Sequence, residues 1–236
     1  PLRYFSPLER RIGLRVRDHA TTHRGHDSRR VVDMLLGELP QGFDVHFLKG
    51  NHEAIMLDFL EDPSFLGQWL ANGADATFRS YGMDIEELIR KGATPDTWQR
   101  AFLASLPECH RDFFETLELA VAFGDYLFVH AGVRPGVPLE AQDPHDLVWI
   151  RAPFLQSNAD FGKIVVHGHT PGREPVIRGN RIGIDTGAVF TDRLVAVTPS
   201  STSGPALTRA TAPPLMPMLP KRLPAWVRST AALPVS

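Results

Sequence analysis

Cysteine is almost absent: Cys109 stands alone in 236 residues. One thiol excludes an internal disulfide and a thiolate-rich zinc cluster, and it fits a reducing, cytoplasmic setting in which Cys109 is a structural thiol. Lysine is scarce too, confined to Lys49, Lys91, Lys163 and Lys221, so nearly all positive charge is arginine. Neither sign of charge dominates. A net charge of -2 and a pI near 6.6 remove the electrostatic case for nucleic acid or an anionic membrane as the principal partner. No apolar run reaches about 18 residues, the length a bilayer span needs. The start, Pro1-Leu2-Arg3-Tyr4-Phe5, shows no apolar segment of a signal peptide. What remains is 43% hydrophobic and 22% charged, the composition of one sizeable domain around one main core.

Residues 1–26 show no sustained period. From Asp27 the pattern becomes legible: Ser28 is placed to cap a helix whose apolar face is Val31, Val32, Leu35 and Leu36. Phe43 to Leu48 alternates like a short strand, and Ala54 to Leu60 reads as the first turns of a helix. Residues 54–122 form a mainly helical block, with segments near Ile55 to Leu60, Phe65 to Asn72, Ile85 to Lys91, Thr97 to Leu106 and Cys109 to Thr116. Its aromatic residues Trp69, Phe78, Tyr81, Trp98, Phe113 and Phe114 fall at helical spacing, as buried faces do, and not as a platform for stacking bases.

Strand periodicity follows. Leu119 to Phe123 and Asp125 to Val129 flank a hairpin turn at Gly124-Asp125. Beyond a loop rich in Pro and Gly come Asp146 to Arg151 and the strand Lys163 to Val166. Ile182 to Gly187 and Arg193 to Val197 close the domain. After Thr198 the composition shifts: Pro199, Pro205, Pro213, Pro214, Pro217, Pro220, Pro224 and Pro234 lie among Ser, Thr and Ala, as in an extended, disordered tail.

Three strand ends carry unusual groups: Gly50-Asn51-His52-Glu53, then His130-Ala131-Gly132, then His167-Gly168-His169-Thr170. Carboxyl ends of neighbouring strands share one edge, where α/β folds bind ligands. There Asn51, His130 and His169 offer an amide oxygen and two imidazole nitrogens to a divalent metal. A set so neutral does not suit Mg²⁺ or Ca²⁺ alone and, lacking thiolate, is no structural zinc site; it suits Mn²⁺, Fe or Zn²⁺. Gly50, Gly132 and Gly168 beside these residues are expected to permit close backbone approach or positive φ.

In order, these stretches resemble the last three motifs of the calcineurin-like metallophosphoesterases. Phe128 to Pro135, Trp149-Ile150-Arg151 and Ile184 to Ala188 are further similar to the bacterial serine/threonine protein phosphatases of the PPP type. The resemblance covers about Arg24 to Val197. It implies an α/β fold, a β-sandwich flanked by helices in α/β/β/α layers, with a helical insertion and a disordered tail. Its domain would span 27–198, with the helical block at 54–122, a degenerate segment at 1–26 and the tail at 199–236. It implies two divalent metal ions, a hydroxide bridging them as nucleophile, and a phosphorylated protein or other phosphoester as substrate. Carried over, Asn51, His130 and His169 hold the second metal and His52 is the general acid. Arg24 and Arg151 bind phosphate, while Glu53, His167 and Asp185 stand behind the ligands.

The family's earlier motifs, Gly-Asp-x-His-Gly and Gly-Asp-x-x-Asp-Arg-Gly, are missing. The second survives only as His23-Arg24-Gly25-His26-Asp27-Ser28, with Ala20 where the bridging Asp belongs. Codons GGC GAC TAC A, read one base late, give Ala-Thr-Thr, as at Ala20-Thr21-Thr22; residues 1–26 therefore read as degenerate or misread. Asp18, His19, His23 and His26 are the metal-capable substitutes nearby. One metal site of two is then expected, and activity of this chain is in question. A diadenosine tetraphosphate hydrolase shares these motifs, and an inactive phosphatase-like binding domain is the non-enzyme alternative.

Overall fold

The structure, a computed structural model, describes residues 4–5, 27–37, 44–191, 193–198 and 206–211. Arg24, the four substitute ligands and most of the proline-rich tail lie outside these residues.

Helix α1 (Ser28–Leu36) buries Val32 and Leu35, as its spacing predicts. Ser28 is its first residue and is buried rather than capping; Asp27 takes the cap position without a side-chain bond. The helical block follows as α2 (Asn51–Glu61), α3 (Leu66–Ala71), α4 (Ala74–Ser80), α5 (Ile85–Arg90), α6 (Pro95–Ser105) and α7 (Glu108–Glu115). Segments of six or seven residues are too short to hold a helix alone, so packing sustains them. Trp69 of α3, Phe78 of α4 and Phe102 of α6 are fully buried and meet edge to face, with ring centroids 4.7 to 5.3 Å apart. Helix α4 is not apparent from the sequence pattern. It begins directly after Gly73, whose φ of 92° turns the chain out of α3.

The main sheet contains β1 (Tyr4–Phe5), β2 (Ala120–Phe123), β3 (Tyr126–Val129), β4 (Ile164–His167), β5 (Val176–Ile177) and β6 (Arg181–Gly183), in the order β1-β2-β3-β4-β6-β5. The expected hairpin pairs Ala120 with Val129 and Phe123 with Tyr126. β3, β4 and β6 run parallel. Alternate residues face opposite ways. Leu127, Val129 and Val165 pack with Leu147 of α8 (Pro144–Trp149) and Phe154 of α9 (Ala152–Leu155). On the other face Phe128, Val166 and Ile182 pack with Leu48, Ile184 and Val195. Val195 belongs to β7 (Arg193–Thr198), which pairs over its whole length with β8 (Ala206–Thr211) after the short helix α10 (Ala188–Thr191). The layers are therefore helices, sheet and a second, two-stranded sheet.

Two sequence expectations change. The strand expected over Phe43 to Leu48 is reduced, among the described residues, to one bridge from Leu48 to Glu118, since the segment meets the sheet only at its margin. And residues 206–211, inside the stretch expected to be disordered, form β8. Pro205 and Pro213 bracket a run without proline, so each residue there keeps its backbone donor for the ladder.

Candidate functional site

β3 and β4 run parallel, so His130, just past β3, and His167 and His169, at and just past β4, share one edge. β2 is antiparallel to β3 and starts at that edge, and the Leu48 bridge lies two residues before it. Asn51 therefore arrives at the same place, as the first residue of α2. Glu53 helps hold it there: its Oε2 accepts the Gly50 N–H at 3.0 Å, the half of a capping box that needs no side chain on the cap residue. A Cβ on Gly50 would lie 2.7 Å from that oxygen and 3.1 Å from the His130 ring, so a larger residue would displace both. Gly132, at φ 154°, likewise has no room, because a Cβ would collide with the ring of Phe154.

Asn51, His52, His130 and His169 are all buried. His130 Nε2 lies 2.9 Å from Asn51 Oδ1 and 3.2 Å from His169 Nδ1. Arg151, whose side chain is exposed, donates its Nε–H to His169 Nε2 at 3.1 Å. With the Asn51 amide oxygen turned toward His130, protons on the two rings cannot serve all of these contacts. If His130 Nε2 donates to Asn51, then His169 Nδ1 must accept from it while His169 Nε2 accepts from Arg151, leaving that neutral ring without its proton. If His169 Nδ1 donates instead, the His130 lone pair faces the Asn51 oxygen.

A cation between the three atoms would remove the clash at His130, while the Arg151 bond to His169 Nε2 would have to be given up. Ligands about 2.1 Å from an ion lie about 3.0 Å apart at right angles and about 3.4 Å apart at tetrahedral angles, and the two observed spacings are compatible with a shared divalent ion. Among the described residues no group of three His, Cys, Asp or Glu side chains is placed to hold a metal, so the Asn51 amide is needed to complete this set.

Burial, reinforced by His130, Arg151 and His52, pushes His169 down to about 3, while a hydrogen bond to the Trp149 backbone works the other way. His169 is neutral at ordinary pH, as a ligand must be. It is also the one non-glycine at positive φ among the described residues, at 64°. The strain expected at Gly168 thus falls on the candidate ligand itself, as at other functional sites.

His167 points away from this cluster. Its Nδ1 meets the Gly168 carbonyl at 3.1 Å, its ring packs on Phe154, and Nε2 is buried with no hydrogen-bond partner among the described residues. Burial holds it down to about 4. Asp185 shapes a turn, with Oδ1 accepting the Gly187 N–H at 2.8 Å and its carbonyl accepting from Gly172.

Sequence reading missed α8. Its Trp149 meets the His169 ring edge-on at 5.9 Å, and His145 stacks on Trp149. His145 and Trp149 are four residues apart, the spacing of neighbours on one helix face, and that was the available signal. Beside them Arg134 pairs with Asp146 through two bonds, on a cavity of about 420 Å³ also lined by Val137, Ala141, Asp143 and His145.

No family model matches the sequence. Among solved structures the chain is similar to one described as "a putative diadenosine tetraphosphatase", with a TM-score of 0.55 and 14% identity, over 88% of this chain and 96% of that one. At that identity the likeness is one of fold alone: an α/β architecture with helices against a mixed sheet. No helix among the described residues is long and apolar enough to cross a membrane.

Proposed function

We propose that this chain is a metal-dependent phosphoester hydrolase holding one divalent ion, Mn²⁺, Fe or Zn²⁺, on Asn51, His130 and His169. The observation that carries the reading is the close approach of Asn51 Oδ1 and His169 Nδ1 to His130 Nε2, at 2.9 and 3.2 Å, in a buried cluster. The bound ion would supply Lewis-acid stabilisation and an activated water. His52, buried in the first turn of α2, is the group that would give a proton to the leaving oxygen. Arg151 has the planar fork of donors that phosphate oxygens accept, and the α2 N-terminus adds a positive dipole end.

The preferred substrate is a phosphorylated serine or threonine side chain, with the cavity beside α8 taking the flanking residues. The second reading, a dinucleoside polyphosphate, is favoured by the description of the similar structure. The test is Mn²⁺ stoichiometry by equilibrium dialysis, with turnover of an aryl phosphate, a phosphopeptide and diadenosine tetraphosphate. One ion per chain and a kcat reduced by roughly 10²- to 10⁴-fold in His52→Ala are expected. Metal binding without turnover of any of the three would leave a phosphate-binding domain instead.

A further inference from the structure

Arg151 makes the wrong bond for a ligated His169. A guanidinium only donates, so its Nε–H, 3.1 Å from His169 Nε2, requires a lone pair there. A neutral imidazole has one proton, which must then sit on Nδ1. That nitrogen faces His130 Nε2 and belongs to the proposed ligand set. A protonated Nδ1 cannot ligate. For Nδ1 to bind a cation, the ring proton must lie on Nε2, where it would confront the Arg151 N–H, donor against donor. Arg151 at Nε2 and a cation at Nδ1 thus select opposite tautomers.

We infer that Arg151 and the divalent cation compete for His169 through its tautomer. With Arg151 docked, the proton is on Nδ1 and the ligand set is closed; a metal held on Nδ1 would require the proton on Nε2 and so would release the guanidinium. The proton lost at Nδ1 is regained at Nε2 by exchange with water, so the ring stays neutral and no net proton is released. This inference rests on the hydrolase reading above. It gives Arg151 two posts in sequence, at His169 before the metal binds and at phosphate afterwards, so that the phosphate-binding group is freed only in a loaded site.

The test is long-range proton–nitrogen correlation spectroscopy on the full chain with isotope-labelled histidine, His169 being assigned from the signal lost in His169→Gln. Metal-free wild type should show the Nδ1–H form, and Zn²⁺ should convert it to Nε2–H. Arg151→Ala, which truncates an exposed side chain, removes the donor that holds the proton on Nδ1 and should raise the Nε2–H population before any metal is added. It should also bind Zn²⁺ roughly tenfold more tightly by calorimetry, the worth of one charge-assisted hydrogen bond no longer broken. Arg151→Met, uncharged and of similar length, should behave as Arg151→Ala does. An Nε2–H form in metal-free wild type, or an unchanged Nδ1–H form in both variants, overturns the inference. If Zn²⁺ binds wild type and variants equally with unchanged tautomers, the competition falls and the hydrolase reading survives. If Zn²⁺ binds none of them, both fall.

Discussion

The helical block and the sheet edge both bury histidine, yet they treat it in opposite ways. In the block, His110 has both ring nitrogens bonded, Nδ1 to the Tyr81 hydroxyl and Nε2 to Asp33, each at 2.9 Å. At the edge, Asn51 Oδ1 and His169 Nδ1 both crowd His130 Nε2, His169 sits at φ 64°, and His167 Nε2 has no bond among the described residues. Buried polar groups in native proteins are ordinarily satisfied. His110 obeys that rule, within a block whose job is to hold shape. The edge breaks it where a ligand would restore the balance, and stability given up there must be supplied by the block.

The largest effect should therefore come from the block. Trp69→Ala removes a fully buried ring that meets Phe59, Phe78 and Phe102. It should cost about 3–5 kcal/mol, read as a lower urea midpoint by circular dichroism. A loss below about 1 kcal/mol would show that the cluster does not carry the fold. Next comes Gly132→Ala at the foot of the site. The added methyl collides with Phe154 at a φ that side chains rarely adopt, so a loss of about 2–3 kcal/mol is expected. Combining it with Phe154→Val should recover part of that loss, and strict additivity would refute the collision as its cause.

A smaller effect tests whether the satisfied network is worth what it looks like. Burial first, then the charge of Asp33, raise the Tyr81 phenol above its ordinary value near 10. The unfolded chain then releases this proton above about pH 10 while the folded chain keeps it. Stability is fully present below pH 10 and declines as pH rises beyond it. Tyr81→Phe should cost about 1 kcal/mol at neutral pH through the lost bond to His110. It should also flatten the alkaline decline in thermal unfolding; an unaltered slope would detach that decline from Tyr81.

Much of the edge was legible because its signals are local. Gly50-Asn51-His52-Glu53, His130 and His169 each follow a change of hydrophobic period, and parallel pairing of β3 with β4 brings the two histidines together. Helix existence in the block was readable from Trp98, Phe102 and Leu106 for the same reason. What was not legible depends on contacts between distant segments. The left-handed turn falls on His169 rather than Gly168 because the backbone there is fixed by long-range bonds, Gly168 N–H to the His130 carbonyl and Gly172 N–H to Asp185. The docking of Arg151 on His169 spans 18 residues and leaves no trace in spacing. β8 was hidden by the prolines around it, and α4 by its shortness.

The subtlest test compares the two buried histidines directly. Replacing His110 takes partners from Tyr81 and Asp33, so His110→Leu should destabilise, because it strands a buried phenol. His167 presents the opposite case. Among the described residues its hydrogen bond is to the carbonyl next in sequence, its Nε2 lies against Gly183, and Phe154 packs on its ring. An unbonded buried nitrogen is a cost, and an apolar side chain of similar volume removes that cost without stranding a distant donor. His167→Leu should leave chemical stability unchanged or raise it by under about 1 kcal/mol. It should also keep Mn²⁺ binding, since Asn51, His130 and His169 are intact. Destabilisation as large as that of His110→Leu would mean that Nε2 is satisfied after all and that the edge follows the same rule as the block. Lost Mn²⁺ binding at unchanged stability would instead place His167 among the groups that hold the ligands in position.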